Sequence, residues 1–196
     1  MILIINCTKG FEFAFVKNKK TIFKKKSKQL KNISEKLVVE IEKSLSILKL
    51  RYNAIKKIVV ITGPGSFTGI RSAITFAKIL KLSLKIKVFG ISKFEILNLL
   101  TLNSSKAGIK NIFVENNQNI FFLQKFNSSG KAISTPEIVD LDEKSIMMKT
   151  ERRIISDGFS IKKYLDNKKK LKKVNLIEVI RYRIEDLERL TLRLNE

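Results

Sequence analysis

A short apolar run, Ile58-Val59-Val60-Ile61-Thr62, leads directly into Gly63-Pro64-Gly65-Ser66-Phe67-Thr68-Gly69 and then into a helical pattern reaching Leu84. This order constrains the fold more than any other feature. A continuously apolar strand of this length belongs inside a sheet with both faces covered. The glycine loop then has to return the chain as a helix against that sheet. Three of the eight glycines lie in this one loop. Gly65 and Gly69 remove Cβ atoms where strand and helix backbones approach. Ser72, Ala73, Thr75 and Ala77 keep the following helix small, which permits close contact with another helix.

Strand, glycine loop and helix are also the geometry of a phosphate cradle. The known cradles do not match. A Walker A loop needs Lys after its last glycine, and Gly69 is followed by Ile70. A dinucleotide fingerprint needs glycine where Thr68 stands. Ser66 as a nucleophile lacks a histidine base, because the chain contains no histidine. The same absence excludes a Ser-His-Asp triad, a Cys-His dyad and an HExxH metal site. The single cysteine, Cys7, forms no internal disulfide or multi-cysteine metal site, and it reads as a buried core thiol. A reduced, cytoplasmic setting is expected. Three readings of the loop stay open: a packing or partner surface, an anion site, and catalysis.

The flanking pattern predicts two similar halves. Strands are expected at 2–7, 11–17 and 20–26, with Asn18-Lys19 at a hairpin turn. A helix is expected over 32–50, where Ile33, Leu37, Ile41, Leu45 and Leu48 make one stripe. Strand 58–62, the helix reaching Leu84, strand 86–90 and a helix over 92–102 capped by Ser92 follow. Ser104 to Gly108 is the expected lobe boundary, giving an N-terminal lobe over 1–104 and a C-terminal lobe over 105–196. There the order restarts: strands 109–115 and 119–126, turns at Asn116-Asn117 and Ser128-Ser129-Gly130, a third short strand, and strand 153–156 before Asp157-Gly158. Ile180, Ile184, Leu187, Leu190 and Leu194 predict a terminal helix over 176–194.

Forty basic and 18 acidic residues leave a net charge of +22. Such a charge points to an anionic partner. Yet 32 of the 40 are Lys and only 8 Arg, beside 28 Ile and 14 Asn. Joint enrichment of Lys, Ile and Asn is the mark of AT-rich codons, whereas phosphate recognition favours arginine forks. Both explanations are carried forward. No apolar run reaches the roughly 18 residues needed to span a bilayer, and no membrane partner is expected. Met1 to Cys7 is too short for a signal segment.

The run Val59 to Arg71, with the Gly63–Gly69 loop at its centre, resembles the signature of the bacterial TsaB (YeaZ) family. Ser34-Glu35-x-Leu37 and Val88-Phe89-Gly90-Ile91-Ser92-Lys93-Phe94-Glu95 are similar to two further family segments. The resemblance implies an α/β, two-lobed actin-like ATPase (ribonuclease H-like) fold, with duplicated mixed sheets flanked by helices. It implies a non-catalytic assembly subunit of the complex that forms N6-threonylcarbamoyladenosine at position 37 of tRNA. The implied partners are a TsaD homologue in a heterodimer and a TsaE homologue in the larger complex, with tRNA met indirectly and self-association when alone. No cofactor is implied for this chain alone; ATP or ADP would belong to the assembled complex.

The family's strand-end aspartate is Asn6 here, which cannot supply the charge that holds Mg²⁺. No catalytic residue and no metal ligand is therefore expected. The partner surface is expected on the loop and the two helices of the first lobe: Gly63, Pro64, Gly65, Ser66, Phe67, Thr68, Gly69, Arg71, Ala73, Ile74 and Ala77, with Ser34, Leu37, Val38 and Ile41. On this reading Ala73→Arg or Ala77→Arg abolishes pairing and leaves the fold intact. The alternatives are a basic tRNA-binding module, an active ATPase of the same fold, and a peptidase, which the missing histidines oppose.

Overall fold

The Asn18-Lys19 turn shows how local chemistry sets register. Both residues take left-handed backbone, with φ of 50° and 58°, the pair a two-residue type I′ hairpin loop needs. Lys17 and Lys20 then face each other and the strands zip back to Phe11 and Ser27. The computed structural model describes residues 1–28, 32–102, 108–116, 120–139, 153–157, 176–179, 182 and 184–187. Its strands are β1 (Ile2–Asn6), β2 (Phe11–Lys17), β3 (Lys20–Ser27), β4 (Lys57–Ile61), β5 (Lys87–Ile91), β6 (Lys110–Glu115), β7 (Phe121–Phe126), β8 (Glu137–Val139), β9 (Arg153–Ser156) and β10 (Leu176–Val179). Its α-helices are α1 (Ile33–Ile47), α2 (Phe67–Leu84) and α3 (Lys93–Leu100).

The strands form two five-stranded sheets with one topology. The first runs β3-β2-β1-β4-β5 and the second β8-β7-β6-β9-β10. In the first, β1 pairs antiparallel with β2 and parallel with β4, and β5 extends the parallel side. In the second, β6 pairs antiparallel with β7 and parallel with β9, and β10 extends the parallel side. The expected duplication is present strand for strand.

Backbone proximity divides the chain into two units, Met1–Ser92 with Arg183–Glu196, and Lys93–Tyr182. The division thus falls at Ser92, ahead of α3, and not at residue 104. The reason is side-chain packing. Phe94 and Leu97 of α3 bury against Ile112, Val114, Phe126 and Ile155 of the second sheet.

The expected terminal helix is corrected. Leu176–Val179 is a strand parallel to β9, and Ile184–Leu187 is a short 3₁₀ turn with Ile184 and Leu187 buried. That turn lies against β1 and β2. A dense apolar stretch satisfies both a helical and a strand period, and the free edge of β9 selected the strand. Ile180, Leu190 and Leu194 lie outside the described residues, as do Asn117 and Gly158.

In the first unit alternate strand residues enter one core, while Ile4, Ala14, Val59 and Ile61 between them are buried as well. Leu3, Ile5 and Cys7, then Phe11, Phe13 and Phe15, then Ile58 and Val60 point to one face. Ile33, Leu37, Ile41 and Leu45 of α1 and Ala73, Phe76, Ala77 and Leu80 of α2 close that core. Phe13 and Phe15 meet edge to face at 5.8 Å.

In the second unit, buried charge ties α3 to the sheet. Lys93 Nζ lies 3.0 Å from Asp157 Oδ2, and their side chains are 3% and 8% exposed. The Glu115 N–H donates to the other Asp157 oxygen. Nearby, the buried Lys110 ammonium donates to Asn98 Oδ1 at 2.8 Å, and Asn98 Nδ2 donates to the Gly130 carbonyl. Removing one partner of a buried pair strands the other charge. Lys93→Ala is therefore expected to cost about 3 kcal/mol in urea denaturation, and Lys93→Met with Asp157→Leu to recover most of it. An additive loss in the double variant would contradict the pairing.

Candidate functional site

The loop between β4 and α2 is clamped onto the end of β1. A Cβ on Gly69 would sit 2.2 Å from the Cys7 carbonyl oxygen, and one on Gly65 2.7 Å from the Thr8 carbonyl oxygen. Both glycines serve close approach. The Ser66 N–H donates to the Thr8 carbonyl at 2.9 Å. Ser66 Oγ accepts from the Gly69 N–H at 3.2 Å and caps α2. Its hydroxyl is engaged as a cap, and burial pushes the neighbouring Cys7 thiol up to about 12, so it stays neutral. The half-buried Asn6 is engaged locally. Its Oδ1 accepts from the Thr8 N–H at 3.1 Å and the Thr8 hydroxyl at 2.7 Å. Among the described residues no group of three or more His, Cys, Asp or Glu side chains could hold a metal ion.

With the core stripes of α1 and α2 packed, a second stripe on each faces outward. Phe67 is 73% exposed, Ile79 55% and Leu82 80%. Their spacing continues through Arg71 and Thr75, one turn apart along α2. Ser34 and Val38 of α1 complete an open groove of about 410 Å³ with Phe67, Thr68, Arg71, Ser72, Thr75, Phe76 and Ile79. The Arg71 guanidinium lies 5.1 Å from the centre of the Phe67 ring, a stacking contact that braces the exposed aromatic. An apolar groove between two helices, rimmed by a cation and hydroxyls, suits a helical partner face.

A family model described as TsaD, tRNA N6-adenosine threonylcarbamoyltransferase, matches residues 24–109. A curated relative from Buchnera aphidicola (subspecies Schizaphis graminum), the tRNA threonylcarbamoyladenosine biosynthesis protein TsaB, is 39% identical over 82 residues, which is 42% of this chain. The match spans 39% of that relative's length. YeaZ from Pseudomonas aeruginosa superposes with a TM-score of 0.68 at 13% identity, over 99% of this chain and 92% of that one. A Bacteroides thetaiotaomicron protein described as having an actin-like ATPase fold gives 0.60 at 13% identity, over 97% and 95%. The sequence matches to a TsaB protein and to the TsaD-type model each cover less than half of this chain. The fold is that of the actin-like ATPases. Among the described residues no helix is long and apolar enough to cross a membrane.

The residues expected on the TsaB/YeaZ partner surface separate into two sets. Ser34, Val38, Phe67, Thr68 and Arg71 line the groove. Gly63, Leu37, Ile41, Gly69, Ala73 and Ala77 are buried, and Pro64, Gly65, Ser66 and Ile74 are half-buried. The expectation that arginine at Ala73 or Ala77 would spare the fold is corrected, because both lie in the core with 0% exposure. Small size reads alike for a residue under a helix and for one between helices. Thr75 and Ile79 were missed as groove residues. The signal was their place one turn and two turns beyond Arg71, opposite the Gly69-Ala73-Ala77 stripe. Ala73→Arg should accordingly abolish the cooperative urea transition. Phe67→Ala should shift stability by less than about 0.5 kcal/mol. A folded Ala73→Arg protein with a native transition would refute the packing.

Proposed function

We propose that this chain is a non-catalytic assembly subunit of the machinery that makes N6-threonylcarbamoyladenosine at position 37 of tRNA, and that α1 and α2 dock a TsaD-type subunit. The observation that carries this reading is the exposed apolar stripe Phe67, Ile79 and Leu82, beside Val38, on helices whose core stripes are already satisfied. A solvated helix would place polar residues there. The similarity to a TsaB protein and to a TsaD-type family model supports the choice of assembly and partner.

The residues of the first lobe support a subunit without chemistry of its own. A magnesium nucleotide does not fit the end of β1. Asn6 brings no negative charge, and its amide oxygen is taken by Thr8. Cys7 and Thr8 fill the space beside the glycine loop. ATP or ADP, and a TsaE homologue, belong to the assembled complex, which meets tRNA in the cytoplasm.

Central aromatic anchors dominate such contacts, and losing one costs about 2 kcal/mol or more. Phe67→Arg with Ile79→Glu is expected to weaken binding of the TsaD-type protein from the same organism by at least about 30-fold, with unfolding unchanged. The measurement is isothermal titration calorimetry beside urea denaturation. Unaltered affinity would move the partner surface elsewhere.

A further inference from the structure

The basic and acidic residues are distributed differently along the chain. Residues 1–92 hold 20 Lys and Arg and residues 93–196 hold the other 20. Of the 18 acidic residues, only Glu12, Glu35, Glu40 and Glu42 fall in 1–92. A genome-wide composition bias acts on both halves alike, so it accounts for the lysines and not for the missing acids. The first half therefore carries +16 of the +22.

The fold gathers part of this charge at one end of the first sheet. Strands β1, β4 and β5 are parallel, so they start at the same end, with Ile2 beside Lys57 and Lys57 beside Lys87. The β2–β3 turn joins them there, because Val16 pairs with Ile2. Lys17, Lys19 and Lys20 at that turn, Lys56 before β4, and Lys85 and Lys87 at β5 are all exposed. The half-buried Lys57 holds its ammonium 5.0 Å from the Phe89 ring centre, and burial and then the Lys87 charge pull its pKa down. Two of the four acids are paired away from this row. Glu12 pairs with Lys26 at the opposite end of the sheet and Glu40 with Lys25, while Glu35 and Glu42 are on α1. Five strands at about 4.8 Å spacing spread the row over about 19 Å. The row has no arginine, and none of the large exposed apolar side chains lies in it. Lysines without an apolar anchor suit sequence-independent phosphate contacts better than an inserted membrane face or a protein hot spot.

We infer that the strand-start end of the first sheet, around Lys17, Lys56 and Lys87, is an RNA-backbone contact surface, separate from the α1–α2 groove. The choice of RNA among polyanions rests on the tRNA-modification reading above. The test is fluorescence anisotropy of the isolated full chain with unmodified tRNA across a salt series. Lys17→Glu/Lys56→Glu/Lys87→Glu is compared with Lys9→Glu/Lys26→Glu/Lys28→Glu, an equal charge change at the opposite end of the sheet. The first variant should bind at least about tenfold more weakly and flatten the log–log salt slope by roughly 3, and the second should stay within about threefold of the natural chain. Lys56→Gln/Lys87→Gln gives the same ranking if charge reversal disturbs folding. Equal losses in both triple variants, no tRNA binding by the natural chain, or displacement of tRNA by polyglutamate as readily as by unlabelled tRNA would overturn the inference. Binding to the TsaD-type protein is measured on the same samples. The Lys17/Lys56/Lys87 variant is expected to retain it. A natural chain that binds tRNA through this row but fails to pair would overturn the assembly reading alone.

Discussion

The first lobe depends on two places where backbone meets backbone. The α2 N-terminus can sit on the end of β1 only because positions 65 and 69 lack a Cβ. Any side chain at Gly69 would have to occupy the space of the Cys7 carbonyl oxygen. Close approach is then locked by two directional contacts, the Ser66 N–H on the Thr8 carbonyl and the Ser66 hydroxyl on the Gly69 N–H. From that anchor α2 runs on with Ala73, Phe76, Ala77 and Leu80 in the core it shares with the sheet. The loop is thus a joint, and its glycines are explained by packing before any ligand is considered.

The joint also sets which residues are left outside. Once Gly69, Ala73, Phe76, Ala77 and Leu80 face the sheet, the 3.6-residue period turns Phe67, Arg71, Thr75, Ile79 and Leu82 outward. The same logic on α1 buries Leu37 and Ile41 and exposes Val38 and Val39. Neither helix has a choice about its core face, so the exposed apolar residues are not slack in the packing. Exposing apolar surface to water is costly, and it is on this cost that the proposed docking face rests.

Much of the fold was legible because period and turn chemistry agreed locally. The alternating Phe11, Phe13 and Phe15, the Asn18-Lys19 turn, the apolar run before Gly63 and the stripe on α1 each had one physical solution. The expected helix over 176–194 did not. Its first residues pair with β9 as a strand at 176–179, and Ile184–Leu187 is a 3₁₀ turn. The place where α3 belongs is a related case. Phe94 and Leu97 show that α3 is amphipathic, but not which sheet receives its apolar face. In the site, the loop and the helices were legible, and the division between buried and exposed members was not. Ala73 and Phe67 are both plausible surface residues in one dimension. Only the orientation of α2 on the sheet separates them.

The sequence by itself determined the two α/β halves, the close helix–strand joint at Gly65 and Gly69, and the absence of any histidine chemistry. These follow from residue types and short-range spacing, which carry their meaning without a neighbour. The tertiary structure alone decided that Ala73 and Ala77 are core, that Phe67 and Ile79 line a groove with Val38, and that lysines far apart in the chain converge at one end of a sheet. Each of these depends on which face of an element meets which neighbour, and on the parallel register of β1, β4 and β5. Such long-range pairing is set by the collective burial of the core, and no single segment encodes it.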